Sequence, residues 1–292
     1  MTRKTLLIFL LVFTVALQSL AQSSISTNLT FKGAVIDKAS KKTLSYVSIG
    51  VIDKPIGTVS DTSGHFTLNI GKENLKDTMR VSIVGYFETK ISIKDFLSQS
   101  DNTIKLSAKT EQLAEVQIND LPQQVNTETI GRMAVSTLVQ ISIHNKKTVN
   151  ETIGSEMGMI YKTNKKEAVL KDFNFYISAN NFDFIKFRVN VYSVLNGLPD
   201  TLMYNKQIFA TLNNFKTGWN RINLEQYHIK VNKEFIITVQ WIDSRMDKRE
   251  NPVTVIPVAV TLFSKNLYAR VASQDKWKRM GMELSSFVTI GY

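Results

Sequence analysis

"GTVSDTSGHFTLNI", residues 57–70, decides the fold. A threonine-valine-serine run stops at Asp61-Thr62-Ser63-Gly64. Apolar Phe66, Leu68 and Ile70 then alternate with polar Thr67 and Asn69. That period of two marks a strand with one face buried. An aspartate opening a turn can accept hydrogen bonds from amides further along the chain, and a glycine ending it supplies positive φ. The stretch therefore predicts a hairpin, with Phe66, Leu68 and Ile70 on the core face. A calcium role for Asp61 fails, because a lone Asp-Thr-Ser-Gly lacks the several oxygen ligands that calcium requires.

Similar runs lie on both sides. Residues 30–37, 46–53, 78–86, 88–93, 103–108 and 113–118 read as short strands, many with the same alternation. Turn residues separate them at intervals of about 8–12, the pattern of an antiparallel sandwich. No long helical period interrupts them.

These residues carry a resemblance. "KGAVIDKASKKTLSYVSIGVIDKPIGTVSDTSGHFTLNI" (32–70), followed by "MRVSIVGY" (79–86), resembles the carboxypeptidase-regulatory-like, or transthyretin-like, domain. In that family a Gly-x-Val strand opens the module, a Gly-Thr-x-(Ser/Thr)-Asp-x-x-Gly-x-Phe turn follows, and a hydrophobic strand ends in Gly-Tyr. The matching positions are Gly33, Val35, Val47, Gly57, Thr58, Asp61, Gly64, Phe66, Gly85 and Tyr86. The resemblance implies a β-sandwich that is structural or interactive rather than catalytic, of a kind abundant in exported envelope proteins of Bacteroidetes-type bacteria. In outer-membrane transporters of that group a Leu-x-Glu-Val-x-Val segment follows the domain, and "LAEVQI" (113–118) is similar. A transporter would then need a plug and barrel far longer than the remaining chain, so 113–118 reads as the last strand of the module.

Residues 119–150 are polar and without clear period, which predicts a linker. A second all-β pattern runs from 151 to 292, with strands expected at 157–163, 168–178, 184–194, 206–212, 218–224, 234–243, 253–263, 267–272 and 285–292. Its Gly197, Pro199, Gly218 and Trp219 resemble the jelly-roll domains of bacterial surface and adhesin-type proteins, some of which bind glycans while others brace neighbouring domains. The expected fold class is all-β: a transthyretin-like β-sandwich over 22–118, then a jelly-roll-type β-sandwich over 151–292.

The chain opens "MTRKTLLIFLLVFTVALQSLAQ". Arg3 and Lys4, the uncharged apolar run to Leu17, and Ser19-Leu20-Ala21 have the succession of a secretory signal over 1–21, cleaved after Ala21. The apolar run is short of the ~20 residues that span a bilayer. No later stretch reaches that length, so no transmembrane segment is expected after cleavage. The expected location is outside the cytoplasm: periplasm, outer membrane or cell surface.

The chain has no cysteine, which excludes thiol nucleophiles and thiolate metal sites. Formal charge is +11, unevenly spread. Residues 22–120 hold 12 Lys+Arg against 11 Asp+Glu, and residues 121–292 hold 22 against 14. A basic exported half points to acidic envelope glycan, lipopolysaccharide or another outer-membrane protein as partner, and no motif points to nucleic acid. The rival reading of the same charge is plain solubility.

Catalytic chemistry finds little support. His65, His144 and His228 stand far apart, and none sits in a zinc-peptidase setting. There is no Gly-x-Ser-x-Gly elbow and no phosphate loop. Paired carboxylates for glycoside hydrolysis are a matter of spatial separation and stay open. No cofactor, metal or catalytic residue is expected. The ligand-binding candidates are Trp277 and its basic neighbours Lys276, Lys278 and Arg279, in what reads as a polar connection between strands. An indole among cations can stack on a sugar, and can equally fold back over a sheet edge. The expected function is non-catalytic binding or scaffolding, with a glycan-binding accessory role as the alternative.

Overall fold

The computed structural model describes residues 28–109, 126–136, 138–142, 152–246 and 255–292. The signal segment (1–21) and "LAEVQI" (113–118) lie outside them. Strands dominate, as the fold class requires. No helix among the described residues is long and apolar enough to cross a membrane.

The first module contains β1 (Asn28–Asp37), β2 (Ser48–Val51), β3 (Gly57–Val59), β4 (His65–Gly71), β5 (Thr78–Ser82), β6 (Thr89–Ser92), a short helix α1 (Ile93–Leu97) and β7 (Thr103–Leu106). Two sheets face each other, one in the order β4-β1-β7 and the other β3-β2-β5-β6. Between them lie Val35, Val47, Ile49, Phe66, Leu68, Ile70, Val81 and Leu106, with Phe96 of α1 closing one end. The alternation read in 65–70 holds: Phe66, Leu68 and Ile70 are buried, and His65, Thr67 and Asn69 are exposed.

The pairing of 57–70 differs from the expected hairpin. β3 bonds to β2, whereas β4 bonds to β1 in the opposite sheet. The Asp61–Gly64 turn therefore carries the chain from one layer to the other, which lets both Val59 and Phe66 bury. Its chemistry is the one the sequence implies. Asp61 Oδ1 accepts from the amides of Ser63 (2.8 Å) and His65 (2.9 Å) and from the Ser63 hydroxyl (2.7 Å). Partial burial opposes ionisation of Asp61, but these hydrogen bonds hold its carboxyl below the usual value. Gly64 has φ +82°, and a Cβ there would lie 2.8 Å from the Thr43 side chain.

The second module contains β8 (Thr127–Gly131), β9 (Gln140–Ser142), β10 (Glu156–Lys162), β11 (Ala168–Ile177), β12 (Phe184–Leu195), β13 (Leu198–Leu202), β14 (Ile208–Asn213), β15 (Gly218–Asn223), β16 (Lys230–Val231), β17 (Glu234–Arg245), β18 (Pro257–Arg270), β19 (Lys278–Leu284) and β20 (Ser286–Gly291). One layer runs β13-β12-β17-β10-β18, with β14 on β12 and β19 on β18. The other contains β8-β20-β11, with β15 and β16 on β11. The long β18 joins them. Its start pairs with β9 and β11, and its end pairs with β10. Phe173, Phe175, Phe187, Phe235, Trp241 and Val288 fill the space between the layers.

Three expectations need correction. The predicted linker includes β8 and β9, which pair with β20 and β18 and so belong to the second module's sheets. Short polar-looking edge strands such as "TETIG" carry too few apolar residues to announce themselves. The runs 253–263 and 267–272 are one strand over 257–270, interrupted by a register shift between Leu262 and Leu267. Residues 278–284, read as a connection, form β19, paired antiparallel with β18.

Replacing Gly64 with valine forces a β-branched residue into positive φ against Thr43 and should lower stability by ~1–3 kcal/mol. Asp61→Ala removes the turn's acceptor and should cost ~0.5–2 kcal/mol. Thermal unfolding followed by circular dichroism checks both; an unchanged Tm for Gly64→Val would contradict the turn geometry.

Candidate functional site

β17 is buried on both faces. Ile237, Val239 and Trp241 point into the sandwich core. By the strand period Ile236, Thr238 and Gln240 point the other way, yet they are buried as well. Something covers the outer face of this sheet, and over Gln240 the cover is the first module.

Strand register builds a polar row across that face. Gln240 of β17 pairs with Glu156 of β10 on one side and Arg188 of β12 on the other, and Glu156 pairs with Arg270 of β18. Glu156 is fully buried. Its Oε2 accepts from Arg270 Nε (2.9 Å) and Nη2 (2.5 Å). Its Oε1 accepts from Asn190 Nδ2 (2.7 Å), Tyr192 OH (3.2 Å) and the Thr238 hydroxyl. Burial alone would raise the carboxyl pKa. The Arg270 charge and the Thr238 and Asn190 hydrogen bonds outweigh it and hold the group below the usual carboxylate range.

Arg188 joins the modules. Its Nη2 donates to the Tyr46 carbonyl and to Gln207 Oε1 (3.0 Å). Its Nη1 donates to the Ser48 hydroxyl (3.2 Å) and to Gln240 Oε1 (3.0 Å). Tyr46 and Ser48 belong to the first module. Burial pushes the guanidinium down to about 10. Tyr46 sits at φ +59°, a strained setting for a bulky residue, and its ring is buried at the contact beside Val59 and Ile242. Lys186 Nζ lies 4.8 Å from the Tyr46 ring centroid and donates to its hydroxyl (3.1 Å). Backbone approach is close here too: a Cβ on Gly50 would fall 2.0 Å from the Ser273 carbonyl oxygen. Further along, Gln274 accepts from Arg80 Nε (2.5 Å) and donates to the Ser82 hydroxyl (2.8 Å).

Beside this contact a cleft of about 1070 Å³ opens between the modules. Arg188, Asn190, Gln240 and Arg270 contribute to its lining from the second module's outer face. Arg80 and Ser82 through Glu88 of the first module line one wall, and Leu198 through Asn205 line another. Five aromatic side chains border it: Tyr86, Phe87, Tyr192, Tyr204 and Trp277. A second cleft, about 1120 Å³, lies between β1, β4 and the end of β17; Phe66, which is buried, is the one Phe, Tyr or Trp in its lining.

The four candidates from the sequence divide. Trp277 and Lys276 line the aromatic cleft; Lys278 and Arg279 are absent from that lining and lie on β19. Trp277 is half-buried, edge-to-face with Tyr192 (5.8 Å), with the Arg270 guanidinium 4.6 Å from its ring centroid. It packs against the outer face of the sheet and still borders the cleft. Lys276 lies 3.9 Å from Asp53 of the first module. The Arg279 guanidinium lies 5.6 Å from the Tyr268 ring centroid. Sequence reasoning missed Glu156, Arg188, Asn190 and Gln240. The available signal is the alternation in β12 and β17, which sets Arg188, Asn190 and Gln240 on the face opposite Phe187, Val189, Ile237 and Trp241. His65 is exposed, its Nδ1 2.8 Å from the Ser63 hydroxyl. Among the described residues no three His, Asp or Glu side chains group to hold a metal ion.

Residues 31–118 match the family model of the CarboxypepD_reg-like domain, under a third of the chain. No curated protein matches. Among solved structures the chain is similar to the cysteine protease and lectin-like domains of Cwp84, a surface layer associated protein of Clostridium difficile, at 10% identity and TM-score 0.40. That alignment covers 85% of this chain and 58% of the other, so the chain spans little more than half its length. It is also similar to the clostridial cysteine protease Cwp84 after propeptide cleavage, at 10% identity and TM-score 0.41, covering 90% of this chain and 70% of that one.

Arg188→Ala should lower stability by at least ~1.5–3 kcal/mol, the value of one hydrogen bond to a charged group, because it strands several buried acceptors. Arg188→Lys, which cannot span both modules' acceptors, should recover little of that in urea titrations. Full recovery by lysine would contradict the forked contact.

Because the folded pKa of Glu156 is depressed, its contribution is present above the ordinary carboxylate value of 4.5 and is lost as pH falls below it. Glu156→Gln should therefore flatten the fall in urea midpoint between about pH 5 and about pH 3. A parental acid slope in the variant would contradict the buried ion pair.

Proposed function

We propose that this protein is an exported, non-catalytic binding or scaffolding protein of the bacterial cell envelope, with the aromatic cleft between its modules as the binding site. The first 21 residues support export by their charged, apolar and small-residue succession. The CarboxypepD_reg-like match supports a structural or interactive first module.

The observation that carries the reading is the state of the polar groups beneath the cleft. A general base or nucleophile needs a free lone pair near the reacting atom. Glu156 instead spends both oxygens on Arg270, Asn190, Tyr192 and Thr238. Arg188 spends both terminal nitrogens on four acceptors. Such a network fixes geometry, and Glu156 has no oxygen left to act as a base. The network holds Asn190, Tyr192 and Trp277 in place, and a prearranged surface lowers the ordering cost of binding.

Thr201 is an exposed position on β13 in the cleft lining, where a strand accommodates a bulky aromatic residue. Thr201→Trp should fill the cleft and leave the fold intact. The immobilised parent protein should retain an envelope component from extracts of the source cells and release it unaltered, and the variant should fail to retain it. Equal retention by both, or chemical conversion of the retained component by the parent, would overturn the proposal.

A further inference from the structure

The second half of the chain is basic, but the cleft itself does not share that character. Five basic and four acidic side chains line it. Arg80 lies 3.8 Å from Glu88, and Lys276 lies 3.9 Å from Asp53. Arg270 is held by the buried Glu156 just beneath. Counting Glu156, the formal charges of the cleft balance. An anionic ligand would find most of these cations already engaged, and would meet Asp200 and Asp275 besides.

What remains available is aromatic surface and uncharged hydrogen-bonding groups. Phe87 is 58% exposed on the cleft wall, held at its amide by the Ser107 carbonyl (2.9 Å). Lys109 Nζ stands 5.9 Å from its ring centroid. Thr201 and Ser82 add hydroxyl oxygens to the lining, the first donating to Asp200 Oδ2 (3.0 Å) and the second accepting from Gln274 Nε2 (2.8 Å). Asp275 is 7% exposed and lines the cleft, and its Oδ2 has no hydrogen-bond partner among the described residues. Its other oxygen accepts from the Lys276 amide (2.8 Å). A buried carboxylate oxygen without a donor costs free energy unless a ligand supplies one. The ligand indicated by these features is uncharged, rich in hydroxyl donors, and apolar on the face that meets a ring. A volume of about 1070 Å³ is far more than one small ring would fill.

We infer that the cleft takes a neutral oligosaccharide, with Phe87 as a stacking platform and Asp275 as an acceptor for sugar hydroxyls. This rests on the reading of the cleft as the binding site and names its ligand class. The two are separable, because a cleft that binds peptide would keep the first and sink the second.

The test presents the purified protein to an array of neutral hexose and N-acetylhexosamine oligomers, with sulfated and sialylated oligosaccharides and a peptide library on the same surface. Binding to neutral oligomers is expected, insensitive to salt between about 0.05 and 0.5 M because no ion pairs are screened. It should vanish in Thr201→Trp and weaken about tenfold in Phe87→Ala, an exposed position whose loss leaves the core intact. Asp275→Asn, which retains one acceptor, should weaken it less than Asp275→Ala. Binding confined to the acidic sugars or to peptides, lost in Thr201→Trp, would overturn the glycan and leave the cleft. Neutral-glycan binding that survives Thr201→Trp, or no binding to any arrayed ligand, would overturn the inference outright.

Discussion

The buried guanidinium of Arg188 is the contact on which the arrangement depends. A fixed charge removed from water is unfavourable by several kcal/mol even after relaxation, and is tolerated only where hydrogen bonds replace the lost hydration. Here the replacements come from two modules at once: Tyr46 and Ser48 from one, Gln207 and Gln240 from the other. Sliding the first module along the sheet by even one residue would withdraw two acceptors and leave the charge without them. Apolar contact between Tyr46, Val59 and Ile242 supplies attraction, which is indifferent to register. The arginine supplies the register. Tyr46 reflects that demand, since its positive φ is a strain of order 1–3 kcal/mol that only a well-determined surrounding sustains.

The cleft follows from this docking. One wall comes from the first module and the others from the second, so its shape exists only while they are locked. Beneath it the Glu156–Arg270 pair continues the same row of the sheet and fixes Tyr192, on which Trp277 leans. The network is therefore a foundation. It consumes its own charges, and it leaves aromatic faces and neutral polar groups for a ligand. That division explains how a half-chain with a net charge of +8 can contain a cleft whose charges balance.

Much of this was legible in the sequence, for physical reasons. The period of two in 65–70 and the Asp61–Gly64 turn are local, and local chemistry fixed both the burial of Phe66 and the hydrogen bonds at Asp61. Which strand each half of the turn pairs with is not local, and the expected hairpin proved to be a crossover between sheets. The row of functional polar residues escaped for a related reason. Thr238 and Gln240 alternate with apolar neighbours as a solvent face would, and nothing within the strand says that another module or a buried ion pair covers that face. Trp277 was visible as an aromatic among cations, but β19 was not, because "KRMGMEL" presents too little alternation to read as a strand. The charge excess was equally legible, yet the pairing of Lys276 with Asp53 joins residues more than two hundred positions apart.

The central claim is that the two modules are one cooperative body locked through Arg188. Scanning calorimetry of the parent protein beside Arg188→Ala tests it most directly. The account predicts one transition for the parent, with calorimetric and van't Hoff enthalpies equal, and two resolved transitions for the variant as each module melts alone. Two transitions in the parent, or an identical single transition in the variant, would contradict it.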